Sequence, residues 1–167
     1  MALIKKDQKY KWEFENIGGC SRVRISSGND IAHLDELDIK MWTVLSCPAK
    51  GLEIEEKSLK YMDRDADGKI RVSDVISVAK WTTGALKNPD LLLEGKDWVD
   101  IAEIDAENEV GLKLGKAAKQ ILFNLGKEGE RISLADTADI AAIFAKTRYN
   151  GDGVITVTST DDTAEKE

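Results

Sequence analysis

Asp63, Asp65 and Asp67 stand at alternate positions in the segment Asp63-Arg64-Asp65-Ala66-Asp67-Gly68-Lys69-Ile70-Arg71-Val72-Ser73-Asp74. Hard divalent cations take oxygen ligands, and calcium takes about six to eight of them. Alternate spacing lets three carboxylates converge on one ion while the chain curls around it. Gly68 permits a bend that a β-carbon makes costly. Lys69 offers a backbone carbonyl oxygen. Arg71 cannot ligate, so its position holds a water, and Asp74 closes the sphere from the start of the next helix. The candidate metal ligands are therefore Asp63, Asp65, Asp67, the Lys69 carbonyl and Asp74. Calcium is the first candidate ion and magnesium the second.

This loop resembles an EF-hand. The resemblance extends to the flanks, where the family puts apolar residues four and one positions before the loop; here they are Leu59 and Met62. The apolar positions just after the loop are Val75, Val78 and Ala79. The aliphatic that pairs with a partner loop is Ile70. The match runs continuously from Glu55 to Trp81. It implies a helix–loop–helix that binds a divalent cation. One position departs from the family, which usually ends the loop with a glutamate binding through both oxygens. Asp74 is one methylene shorter, which lowers the coordination number, weakens calcium and narrows the preference over magnesium.

A shift of 85 residues superposes Gly153 on Gly68, Asp152 on Asp67, Asn150 on Asp65 and Ile155 on Ile70. Arg148 and Ser159 then occupy the first and last ligand positions, and Arg148 repels a cation. This reads as a degenerate hand that keeps the shape without the metal. EF-hands usually pair through a short ladder, so Ile70 is expected opposite Ile155. The whole chain is loosely similar to uncharacterised bacterial proteins in which EF-hand-like segments recur along a longer chain. That likeness implies no particular activity.

The elements that must position the loop follow from periodicity. Tyr10 to Ser26 alternates as a β-hairpin, with Ile17-Gly18-Gly19-Cys20 as its turn. Asn29 or Asp30 is placed to cap a helix carrying Leu34, Leu37, Met41, Trp42 and Leu45. Asn88-Pro89-Asp90 marks a turn or helix start. Glu107 to Leu125 is the strongest amphipathic helix, with Gly126 just past its end. Ser133 with Asp136 three residues on resembles a capping arrangement. A helix is expected from there to Lys146 or Thr147.

Composition narrows the function classes. The 167 residues carry 24 basic and 31 acidic side chains, a formal net charge of −7. Scattered lysines and arginines in an acidic chain do not make a nucleic-acid face. The longest apolar run, Ile140 to Ala145, falls far short of the roughly 20 residues that cross a bilayer. Cys20 and Cys47 lack a nearby histidine for zinc and are too few for a disulfide scaffold. The N-terminus has no apolar signal core, and the chain reads as cytoplasmic. No nucleophile–base pair or phosphate loop accompanies the lone His33, so no enzyme is expected.

Together these readings predict a mainly α single domain, 1–167, with an EF-hand-like pair and an N-terminal β-hairpin. The expected segments are a hairpin at 8–27, an intact hand at 52–86, a degenerate hand at 131–160 and a frayed tail at 161–167. The expected function is divalent cation binding that stabilises the fold. The second reading is an ion-independent protein-interaction module of a larger bacterial protein, with an unidentified protein partner.

Overall fold

A computed structural model describes residues 10–145. The chain divides into two compact units, Met1–Gly95 and Lys96–Glu167.

Unit 1 opens with β1 (Glu13–Ile17) and β2 (Cys20–Arg24), paired antiparallel with Phe14 opposite Val23. Gly18 and Gly19 both take positive φ, 61° and 84°, the conformation a two-residue hairpin turn requires. The Asn16 side chain accepts the Gly19 N–H at 3.0 Å. Helix α1 (Gly28–Ala32) follows, but Ser27 is its N-cap, in place of the expected Asn29 or Asp30. Asp30 instead reaches back to accept the Ser27 N–H at 2.8 Å and the Ser26 N–H at 2.9 Å. The Tyr10 hydroxyl donates to the same carboxylate at 2.6 Å, and the Tyr10 ring stacks on His33 at 4.2 Å.

The long helix expected through Leu34 and Leu45 does not form. The chain makes two single 3₁₀ turns, Leu34–Glu36 and Ile39–Met41, with Leu37 extended between them. The Asp38 carboxylate accepts the Lys40 N–H at 3.0 Å and starts a new turn. That local bond competes with helix continuation. Beyond them lies β3 (Ser46–Pro48), then α2 (Glu56–Met62), β4 (Lys69–Arg71) and α3 (Val72–Ala85). A 3₁₀ turn, Pro89–Leu93, capped by Asn88, packs against α1.

Unit 2 contains β5 (Trp98–Asp100), a 3₁₀ turn at Ile101–Glu103, α4 (Glu109–Leu125), β6 (Arg131–Ser133), α5 (Leu134–Ala138) and α6 (Ile140–Phe144). Asn108 caps α4 by accepting the Val110 N–H at 2.8 Å. Gly126 ends it in the left-handed conformation, φ 68°. The helix expected to run from Ser133 to Lys146 is broken at Asp139, whose side chain caps a fresh helix at Ala142 N–H, 2.9 Å. Among the described residues, no helix is long and apolar enough to cross a membrane.

The mainly α expectation is overturned. Helices hold about 49% and strands about 18% of the described residues, with three two-stranded sheets. The physical reason is that both units are built around short antiparallel ladders that join loop to core. Among the described residues Ile70 pairs with Cys47, in the register Ser46 to Arg71 and Pro48 to Lys69; the ladder expected between Ile70 and Ile155 involves a residue that lies outside the described ones. Residues 148–159, where the degenerate loop was expected, and the tail at 161–167 lie outside the described residues.

Candidate metal centre

The loop is anchored at both ends in one small apolar cluster. Leu59 on α2, Ile70 on β4 and Ala49 after β3 are buried together, with Cys47, Met62 and Val75 packed against them. Leu59 is only 1% exposed. The Ala49 N–H donates to the Gly68 carbonyl at 3.0 Å, which extends the β3–β4 ladder to the base of the loop. Side chains on either side of the loop therefore bury apolar area against each other, and the loop between them is held in a fixed span.

Within that span, Asp63, Asp65 and Asp67 bring one carboxylate oxygen each to within 4.8 Å of the others. Asp63 is half-buried and the other two are exposed. The curl is fixed by Asp63 itself, which accepts the Asp67 N–H at 3.2 Å and the Gly68 N–H at 2.9 Å. Asp67 accepts the Lys69 N–H at 2.9 Å. Gly68 has φ 81°, and Ala66 takes φ 56° despite its β-carbon, so the turn imposes a left-handed conformation that costs an L-residue free energy.

Lys69 lies in β4 opposite Pro48. Asp74 stands outside the trio of aspartates. It occupies the first turn of α3, where it accepts the Arg71 N–H at 2.8 Å and closes that helix's N-terminus. The structure thus brings three of the four expected carboxylates together and gives Asp74 a second task.

Arg71 has a role that spacing alone did not assign. Its guanidinium bonds Asp67 directly and lies 3.8 Å from Asp65. The bond from Arg71 holds the Asp67 carboxyl below the usual carboxylate range, helped by the Lys69 N–H. The same carboxylates raise the Arg71 pKa, Asp67 first. Arg71 thus offsets part of the charge of Asp65 and Asp67, with the Lys69 ammonium also acting on Asp67, and any cation at the trio would compete with the guanidinium.

No protein-family model matches the chain, and neither does any curated protein or solved structure.

Proposed function

We propose that this protein binds one divalent cation, calcium in preference to magnesium, through Asp63, Asp65 and Asp67. The Lys69 carbonyl and Asp74 complete the sphere as the loop closes. The reading rests on one observation: three carboxylates converge within 4.8 Å on a loop whose two ends share a core. Mutual repulsion of such a trio is relieved best by a divalent ion. An ion that binds the folded loop and not the unfolded chain stabilises unit 1 by mass action. The role is structural rather than that of a catalyst or a sensor. Sensors open an apolar, often Met-rich groove, and this chain has three methionines including Met1. The two free cysteines, Cys20 and Cys47, fit a reducing cytoplasmic setting.

Thermal unfolding of chelator-stripped protein tests the reading. Calcium at about a hundredfold excess over Kd contributes about 2.7 kcal/mol. For a unit of this size that raises Tm by roughly 10 °C or more. Asp65→Ala is the sharper control, since Asp65 meets Arg71 only at 3.8 Å whereas Asp63 also holds the turn. The calcium-dependent rise disappears in that variant. The second reading, an ion-independent interaction module, draws on Trp81, which is 51% exposed on α3. It predicts the same Tm with calcium and with chelator.

A further inference from the structure

The two units repeat one design. In unit 1, β3 pairs with β4 across Cys47 and Ile70, and Ala49 N–H donates to the Gly68 carbonyl. In unit 2, β5 pairs with β6 across Val99 and Ile132, and Ile101 N–H donates to the Glu130 carbonyl at 2.7 Å. Each donor sits two residues past the central pair, and each acceptor two residues before it. The cores correspond as well: Ala49, Leu59 and Ile70 in one unit, Ile101, Leu122 and Ile132 in the other. Asp74 accepts the N–H of Arg71, the last residue of β4. Asp136 accepts the N–H of Ser133, the last residue of β6, at the same 2.8 Å. Strand, helix, loop, strand and capped helix recur in order, with the second loop one residue shorter.

The loops differ in their cation chemistry. The first converges three aspartates. The second, residues 126–130, carries Lys127, whose ammonium bonds the buried carboxylate of Asp136. The Ser133 hydroxyl donates to the same group at 2.7 Å. A buried carboxylate at the foot of a loop needs a compensating charge. Unit 2 supplies it from its own chain.

We propose that the Lys127 ammonium is a tethered substitute for a metal ion: it locks the loop of unit 2 onto Asp136 and makes that unit's closure independent of divalent cations. The analogy with a metal rests on the reading of the first loop, but the lock itself rests on unit 2 alone. Its consequence is a division of labour, in which unit 1 tightens with the ion supply and unit 2 stays closed without it.

Hydrogen–deuterium exchange on the full chain, stripped of metal and then with calcium, tests this. In Lys127→Met, amides 131–136 exchange roughly five- to tenfold faster than in the wild type, while amides 69–74 are unchanged. Lys127→Arg restores wild-type protection at 131–136. Calcium leaves exchange at 126–136 of the wild type unaltered. Unchanged exchange at 131–136 in Lys127→Met overturns the proposal, and so does calcium-dependent protection of 126–136. Where Lys127→Met loses protection across all of unit 2, Lys127→Arg decides: recovery supports the lock and continued loss overturns it. An absence of calcium effects at 63–74 would refute the metal reading of unit 1 and leave the Lys127 comparison intact.

Discussion

Replacing Arg71 by glutamine should tighten calcium binding, although the change removes no candidate ligand and adds no charge that attracts the ion. The guanidinium bonds Asp67 and lies 3.8 Å from Asp65, with its side chain 40% exposed. An incoming divalent ion is repelled by the guanidinium or must displace it from Asp67, and in this solvent-exposed setting both effects are weakened by water and screened by salt. The expected gain in affinity for Arg71→Gln is therefore modest, roughly two- to fivefold. The backbone N–H that Asp74 accepts is retained, so the start of α3 is undisturbed. Calorimetric titration of both proteins at low and high salt measures the effect, and the gain should shrink as salt rises. An affinity that is unchanged or weaker in Arg71→Gln refutes the view of the guanidinium as a competitor.

Three further outcomes follow from the same structure. Gly28→Ala places a β-carbon 2.2 Å from the Pro89 carbonyl carbon, and overpacking against backbone should cost about 3 kcal/mol in a urea melt. Asp74→Glu adds the methylene that two-oxygen binding needs while still able to cap α3, so the calcium-to-magnesium affinity ratio should rise in paired titrations. Asp30 is held at about 2: burial works to raise its pKa, and the Tyr10 hydroxyl with the Ser26 and Ser27 donors overcomes it. Asp136 is held at about 2 chiefly by Lys127. A carboxylate whose folded pKa is depressed stabilises the fold above its unfolded pKa, so this stability is intact above pH ~4 and is lost as pH falls towards 2. Asp30→Asn should flatten that part of the stability profile in acid denaturation.

Legibility in the sequence followed the strength of the local signal. The glycine pair at 18 and 19, the Gly126 end of α4 and the alternating aspartates each specify their conformation through their own side chains or lack of one, whereas α4 was expected from Glu107 and begins at Glu109, after its cap Asn108. The β3 strand carries no such signal. Ser46-Cys47-Pro48 is three residues long, has no alternation, and contains a proline that cannot donate to a ladder. Its partnership with β4 is decided by the burial of Ile70 against Leu59 and Ala49, which is tertiary. Leu34 to Leu45 failed in the opposite sense, since helical spacing was present and Asp38 broke it with a single side-chain bond. In the candidate site the three aspartates were readable from spacing. The guanidinium among them, and the repeat of the design in unit 2, were not, because Ile132 and Asp136 match Ile70 and Asp74 only once a shortened loop is allowed.

Calcium titration of chelator-stripped protein by isothermal calorimetry, followed by magnesium, bears most directly on the central claim, with Asp63→Ala and Asp65→Ala as controls. The expected result is one saturable site per chain, tighter for calcium than for magnesium, and abolished in both variants while their folds persist. No saturable binding of either ion by folded wild-type protein, or binding that survives both substitutions, would contradict it.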